Sequence, residues 1–204
     1  MDGARIDKFW FETLLKVCQL QKDVQGQINT LRLQFVLTGY EKFSLLPVLK
    51  QLCSTEQWNI LFAEFKKATL KQTTDMQQYG YFGYRDIPKP FPSKTANLLV
   101  FDERWQELWD LLSSQKSFDP YGLYGQYLTH AFAEELFTLY KKNIRKWIDD
   151  ASSMDNYRAI VAILVTLNEL KDEGKELVQS QVNHIRIAHK RKHQFLGLLK
   201  EAGL

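Results

Sequence analysis

The chain has few of the residues that interrupt helices or cross-link small proteins. Its 204 residues include 10 glycines, 5 prolines and 2 cysteines. Cys18 and Cys53 each lie within an apolar helical pattern, far from any second Cys or His at metal-ligand spacing. They do not make a disulfide framework, and they are predicted to be small buried side chains of a protein in a reducing compartment.

Long apolar runs are also missing. No stretch of about 18 consecutive apolar residues occurs, and the segment from Met1 to Lys8 mixes acids and bases without the apolar core of a signal peptide. The sequence therefore predicts no membrane partner and a cytoplasmic location. A net charge of +3 and a pI near 8.7 permit an anionic partner without requiring one.

What is present is the composition of a packed globular protein, with 45% hydrophobic and 13% aromatic residues. Leu, Lys, Gln, Glu and Ala set the local preference, and apolar residues recur at spacings of three and four, from Ile6–Val24 near the start to Lys175–Leu199 near the end. Short connections between such segments favour antiparallel neighbours. The sequence therefore predicts an all-α fold of seven or eight antiparallel helices, arranged as an irregular helical-repeat array or bundle.

We expect a single helical domain over residues 1–204, with a subdivision into N-terminal helices (1–72), an ordered crossover (73–101) and C-terminal helices (102–204). The crossover interrupts the helical spacing with prolines and interleaved aromatic residues. Aromatic side chains in a connection usually pack, so the segment is interpreted either as a crossover laid against the helices or as a partner-binding loop. The residues that would contact a partner are Tyr79, Tyr81, Phe82, Tyr84 and Phe91.

A family resemblance begins in an aromatic and basic helix, Glu135 to Ile148. It continues through Tyr157-Arg158-Ala159, a Leu-rich helix, the run His189-Lys-Arg-Lys-His193 and a closing Leu198-Leu199. This layout resembles the helical C-terminal region of bacterial SWIM zinc-finger proteins, which implies interaction or scaffolding. The zinc module of that family needs a Cys-x-Cys pair and a later Cys-x-His. This chain has neither, so no zinc function is carried over.

Two basic clusters are candidate contacts for nucleic-acid phosphates. The first is Lys142, Arg145 and Lys146, on a predicted amphipathic helix from Tyr127 to Ala151. The second, the C-terminal basic cluster, is Arg186, Lys190, Arg191 and Lys192. Cationic helix faces neutralise phosphates and release counterions, but solvated or ion-paired faces have the same composition. The sequence leaves open whether the two clusters share one surface.

The same C-terminal segment holds two histidines at ligand spacing. His189 and His193 stand at i and i+4, so they would share one helix face, a geometry that two metal ligands can use. Basic residues surround them, however, and no carboxylate or Cys lies close in sequence to balance a dication. The sequence therefore predicts no metal site and no cofactor.

Signatures of enzymes are absent from the sequence. There is no Gly-rich phosphate loop, His-Glu-x-x-His motif, nucleophile elbow or Cys-based pair. Adjacent carboxylates, as in Asp149-Asp150, point about 100° apart on a helix and do not converge as an acid–base pair. The predicted function is a non-enzymatic scaffold with a protein partner. The alternatives are a nucleic-acid-associated protein and an active site assembled from distant segments.

Overall fold

A computed structural model describes residues 8–38, 42–79, 91–115 and 117–204, of which Lys8 and 74–79 are described as backbone only. These ranges contain eleven α-helices, two short 3-10 helices and no strand, so the all-α class is confirmed and the count of seven or eight helices is wrong. The helices are α1 (Lys8–Leu20), α2 (Val24–Leu37), α3 (Leu46–Leu52), α4 (Thr55–Tyr79), α5 (Ser93–Phe101), α6 (Trp105–Ser113), α7 (Asp119–Tyr124), α8 (Ala133–Asp150), α9 (Met154–Leu170), α10 (Asp172–Ala188) and α11 (His193–Glu201).

The count was too low because apolar spacing continues across breaks in the backbone. The predicted last helix, Lys175–Leu199, is two helices, since α10 ends at Ala188 and α11 begins at His193. Both pack on α9. The apolar residues of α10 and α11 therefore face the same helix, α9. The spacing of apolar residues alone does not reveal the break between α10 and α11.

Local capping signals were more informative than spacing. The Ser54 hydroxyl accepts a hydrogen bond from the Gln57 amide at 3.2 Å, and the Gln57 side chain accepts one from the Ser54 amide at 3.0 Å. This reciprocal arrangement satisfies two amides that have no partner within the helix. Ser153 and Asn156 form the same arrangement at the start of α9. Pro47 lies in the first turn of α3, where its missing N–H costs nothing.

The chain divides into two compact units, Met1–Thr95 and Ala96–Leu204, and the division falls inside α5. In the first unit α1 packs on α2, and α2 packs on α3. Its core includes Phe11, Leu31, Phe35, Phe62 and Phe65. The finer sequence-based division into 1–72, 73–101 and 102–204 stays a prediction.

In the second unit α9 is the central helix. It contacts α7, α8, α10 and α11. Four of its side chains are completely buried: Ile160, Ile163, Leu164 and Leu167. Burying an aliphatic side chain of this size contributes about 1.5–3 kcal/mol, so α9 supplies much of the apolar contact that holds this unit together.

An aromatic cluster fixes α8 beside α7. The Tyr121 and Trp147 rings are stacked with centroids 5.8 Å apart, and Tyr140 meets both rings edge-on. Tyr121 donates a hydrogen bond to the Leu112 carbonyl at 3.0 Å. Burial raises the pKa of Tyr121 and of Tyr140, which keeps both phenols neutral. The cluster thereby orients the second half of α8, which leads to the site described below.

Within the described ranges, no helix combines the length and the apolar character that crossing a bilayer requires.

Candidate functional site

Side chains at the C-terminal end of α8 bring together two segments that lie far apart in sequence. Asp149 Oδ1 is 2.8 Å from His184 Nε2 of α10. Lys192 donates a hydrogen bond to the Ala151 carbonyl at 2.8 Å, and its ammonium lies 5.3 Å from the centre of the Tyr157 ring. The end of α8 therefore adjoins the α10–α11 junction.

Through Lys192, the C-terminal basic cluster lies near the end of α8, and Arg145 and Lys146 of the other basic cluster lie in the last turns of that helix. Six of the seven side chains of the two clusters are exposed and Lys192 is half-buried. Arg186 donates to the Leu204 carbonyl, at 3.2 Å. Among the described acidic side chains, none forms an ion pair with Lys142, Arg145, Lys146, Lys190 or Arg191. Whether any of these residues contacts a phosphate stays a prediction.

The expected pairing of His189 with His193 on one helix face is wrong. His189 caps the C-terminus of α10, whereas the exposed His193 is the first residue of α11. The backbone of His189 leaves the helical region, with φ of −112° and ψ of 26°. His189 lies beside His184 instead, with ring centroids 5.9 Å apart.

Asp149, His184 and His189 form a compact group, which we name the His–Asp cluster. Asp149 Oδ1 is 3.7 Å from His189 Nε2, and the three donor atoms all lie within 4.8 Å of one another. The His189 side chain is only 11% exposed, and its Nε2 atom is buried without a hydrogen-bond partner. The Asp149 side chain is 51% exposed, so the cluster opens to solvent on that side.

Hydrogen bonding, burial and nearby charges shift the pKa values of Asp149 and His189 in this cluster. The hydrogen bond from His184 is the main cause that lowers the pKa of the Asp149 carboxyl, and the charges of His184, Arg145 and His189 add to it. Desolvation lowers the pKa of His189, and the charge of Lys192 lowers it further. At neutral pH, His189 is therefore an uncharged imidazole beside an ionised carboxylate.

Sequence reasoning missed this cluster because its carboxylate is 35 residues away from His184. One signal could have indicated it. Asp149 lies in the last turn of α8, where the partial negative charge of the helix terminus disfavours an acid unless another group compensates. Two further acidic side chains form ion pairs, Asp102 with Arg104 and Glu134 with Lys171.

The predicted partner loop falls mostly outside the described residues. Tyr81, Phe82 and Tyr84 are not described, and Tyr79 is described only as the last backbone position of α4. Phe91 is half-buried. The loop therefore stays a prediction.

An exposed apolar face on α1 was not predicted. Trp10 is 49% exposed, and Phe9, Val17 and Leu20 are 71%, 41% and 77% exposed. At 100° per residue, these four and Thr13 fall within an arc of about 100°. Phe11 and Cys18, which are buried, lie on the other side of the helix. We name this exposed face the α1 surface.

The chain shows no match to known protein families, to curated proteins or to solved structures. The resemblance of its C-terminal region to SWIM proteins stays a prediction.

Proposed function

We propose that the chain is a non-enzymatic protein-interaction module whose α1 surface binds an amphipathic helix of a partner protein. The observation that carries this proposal is the exposure of four large apolar side chains on one 13-residue helix. Single exposed apolar residues are ordinary, but a contiguous group of them marks an interaction site.

The spacing on α1 suits a helical partner. Trp10, Val17 and Leu20 recur at intervals of seven and three, which is the pattern by which helices pack along each other. From Phe9 to Leu20 the stripe extends over about 16 Å at 1.5 Å per residue. Val24, at the first position of α2, is also exposed and extends the apolar area beyond the end of α1.

The opposite face of α1 supports the same conclusion. Phe11 and Cys18 bury it against the first unit, where α1 packs on α2. The helix is therefore already anchored, and its second apolar face is held on a formed scaffold. A pre-ordered surface binds with a smaller entropic cost than a segment that must fold on binding. Free Cys18 and Cys53 agree with the reducing, cytoplasmic setting that we propose for this module.

Site-specific photo-crosslinking tests the proposal. A benzophenone amino acid would replace Val17 or Leu20 in the full chain, and the cross-linked peptide would be identified by mass spectrometry. Leu123 is the matched control position, because it is an apolar residue, 60% exposed, in the second unit and outside the α1 surface. We expect one partner peptide with apolar residues at spacings of three and four from the α1 positions, and none from position 123.

A second variant separates loss of binding from loss of folding. The double substitution Val17→Ser and Leu20→Ser removes apolar area from solvent-facing positions, so helix content should be retained. With the benzophenone amino acid placed at Trp10 instead, the cross-link to the partner should disappear in this double variant. A cross-link to a second copy of this chain would show that the α1 surface mediates self-association, and it would overturn the proposed partner helix. Equal labelling from positions 17 and 123 would overturn the proposal.

A second candidate function rests on the exposure of the two basic clusters in the second unit. We propose phosphate-backbone binding of nucleic acid as the alternative to protein interaction. Because the exposed ammonium and guanidinium groups lack described acidic partners, they remain available to replace counterions on a polyanion. Contacts of this kind would be independent of base sequence.

Salt-dependent binding to duplex DNA distinguishes this alternative. The triple variant Lys142→Gln, Arg145→Gln and Lys146→Gln should reduce the slope of log K against log salt by about 0.9 for each lost contact. A triple variant at Lys16, Lys67 and Lys71, which changes the net charge equally in the first unit, is the control. Equal slopes for the two triple variants, or no binding at low salt, would exclude the basic clusters as the site.

A further inference from the structure

We propose that the His–Asp cluster is a binding site for a divalent transition-metal ion, with Asp149, His184 and His189 as its three protein ligands. The site goes beyond the proposed interaction surface, since it lies in the second unit and α1 belongs to the first. The sequence predicted no metal site, and His193, which stands at ligand spacing from His189 in the sequence, is not part of this cluster.

The distances within the cluster fit a single ion. Ligand atoms about 2.0–2.1 Å from a tetrahedral zinc ion lie about 3.3 Å from one another. The distances from Asp149 Oδ1 to the two imidazole nitrogens, 2.8 and 3.7 Å, fall on either side of this value. The two imidazole nitrogens lie within 4.8 Å of each other, so side-chain rotations that bring them closer would complete the geometry.

The strongest independent sign is the buried nitrogen of His189. Its Nε2 atom has no hydrogen-bond partner, although the imidazole is almost fully buried. Leaving a buried polar atom unsatisfied costs free energy, which coordination would recover.

The ligand set determines which ions fit. Two imidazoles and one carboxylate suit Zn²⁺, Ni²⁺ or Cu²⁺, whereas Mg²⁺ and Ca²⁺ prefer sites made of oxygen ligands. Two nearby cations, Arg145 and Lys192, oppose a dication and should weaken the affinity. Asp149 is half exposed, so water can supply the remaining coordination position.

Binding would replace the hydrogen that now joins Asp149 to His184 Nε2. The His184 ring then carries its hydrogen on Nδ1, the tautomer in which Nε2 can coordinate. The ion would connect Asp149 at the end of α8 to His184, which lies within α10, and to His189, which directly follows α10. It would therefore stabilise the folded state, and the gain would grow with the logarithm of its free concentration above the Kd.

Zn²⁺ titration of the full chain, purified without a polyhistidine tag, tests the proposal. We expect one ion per chain by calorimetry, a Tm increase of several degrees with excess Zn²⁺, and no shift with equal Mg²⁺. The variants Asp149→Asn, His184→Gln and His189→Gln should each weaken binding at least tenfold. The matched control is His193→Gln, which removes an exposed histidine outside the cluster and should keep the wild-type affinity.

Helix content by circular dichroism verifies that each variant is folded. Co²⁺ substitution gives a second readout, because a tetrahedral site produces intense visible absorption that the three variants should lose and His193→Gln should retain. Absence of Zn²⁺ binding to the wild-type chain would overturn the proposal. So would equal loss of affinity in His193→Gln, or wild-type affinity in the folded cluster variants.

Discussion

Gly122 of α7 lies directly against Ala159 of α9: a Cβ atom at position 122 would be 2.5 Å from the Ala159 Cα and 2.7 Å from its carbonyl oxygen. Both obstructing atoms belong to the backbone of a buried helix and cannot rotate away. The contact between α7 and α9 therefore depends on the absence of a side chain at this position.

Gly122→Ala should lower the free energy of unfolding by about 1–3 kcal/mol, because the two helices must separate to admit the methyl group. Gly197→Ala is the control. A Cβ there meets nothing within 4 Å, and α11 continues on both sides of it. This substitution should stabilise the protein by up to about 1 kcal/mol through helix propensity. Urea unfolding of both variants checks the prediction, which fails if both shift in the same direction.

The buried pair Thr69 and Thr95 predicts an unequal response to removal of either hydroxyl. Their Oγ1 atoms are 2.9 Å apart, and Thr69 donates to the Lys66 carbonyl at 3.0 Å. Thr95 is thus the donor between the two hydroxyls. Thr69→Val leaves the Thr95 hydroxyl buried without its acceptor and should cost about 1–3 kcal/mol.

Thr95→Val should be less damaging, because Thr69 keeps its hydrogen bond to Lys66. The double variant should recover part of the loss caused by Thr69→Val alone. Thermal unfolding of the three variants forms a double-mutant cycle. Additive effects would show that the two hydroxyls do not interact.

Lys192 should contribute to stability, while its neighbour Lys190 should not. Lys192 donates to the carbonyl of the buried Ala151 and covers the Tyr157 ring, whereas Lys190 is exposed. Lys192→Met keeps the aliphatic stem but removes the donor and the charge, and we expect a loss of about 1–2 kcal/mol. Lys190→Met should change the unfolding midpoint little. Equal midpoints for the two variants would contradict the assigned hydrogen bond.

Stability should fall in alkali as buried phenols ionise. Burial raises the pKa of Tyr124 from 10.0 to about 12, and its hydroxyl donates to Asn97 Oδ1 at 2.9 Å. The folded state thus favours the neutral phenol. Its contribution is complete below the unfolded-state value near 10 and is lost as pH rises through about 12.

Each such phenol adds a slope of about 1.4 kcal/mol per pH unit within that window. Urea unfolding at several pH values, with tyrosinate absorbance as a second probe, measures the slope. Tyr124→Phe should reduce the slope, although it also loses the hydrogen bond to Asn97 at every pH. A slope equal to that of the wild type would show that Tyr124 does not contribute.

Sequence patterns predicted the helical class and several local features, but they did not predict contacts between segments. The reciprocal cap of Ser54 and Gln57 can be predicted from sequence, because both residues lie within four positions of each other. Gly174 shows the limit. It lies in the first turn of α10, where a Cβ would be 2.1 Å from the Leu167 carbonyl oxygen. The sequence alone does not distinguish a glycine that lets two backbone segments approach closely from a glycine that allows a turn.

The candidate sites were harder to predict for the same physical reason. The His–Asp cluster depends on a helix break at His189 and on a carboxylate delivered by another helix, and neither has a local signature. The apolar spacing of α1 was predicted, but this helix has two apolar faces. The sequence does not indicate which of the two faces packs against the rest of the unit. Distance along the chain, rather than residue type, separates what was predicted from what was not.

The central position of α9 also affects how the chain is synthesised. Helix α8 leaves the ribosome before the helix on which it packs, since α9 extends to Leu170. At about 5–20 residues per second, the 20 residues from Asp150 to Leu170 take about 1–4 s to add. During that interval the apolar side chains of α8 have no α9 to cover them. The second unit can therefore complete its core only after its central helix has emerged.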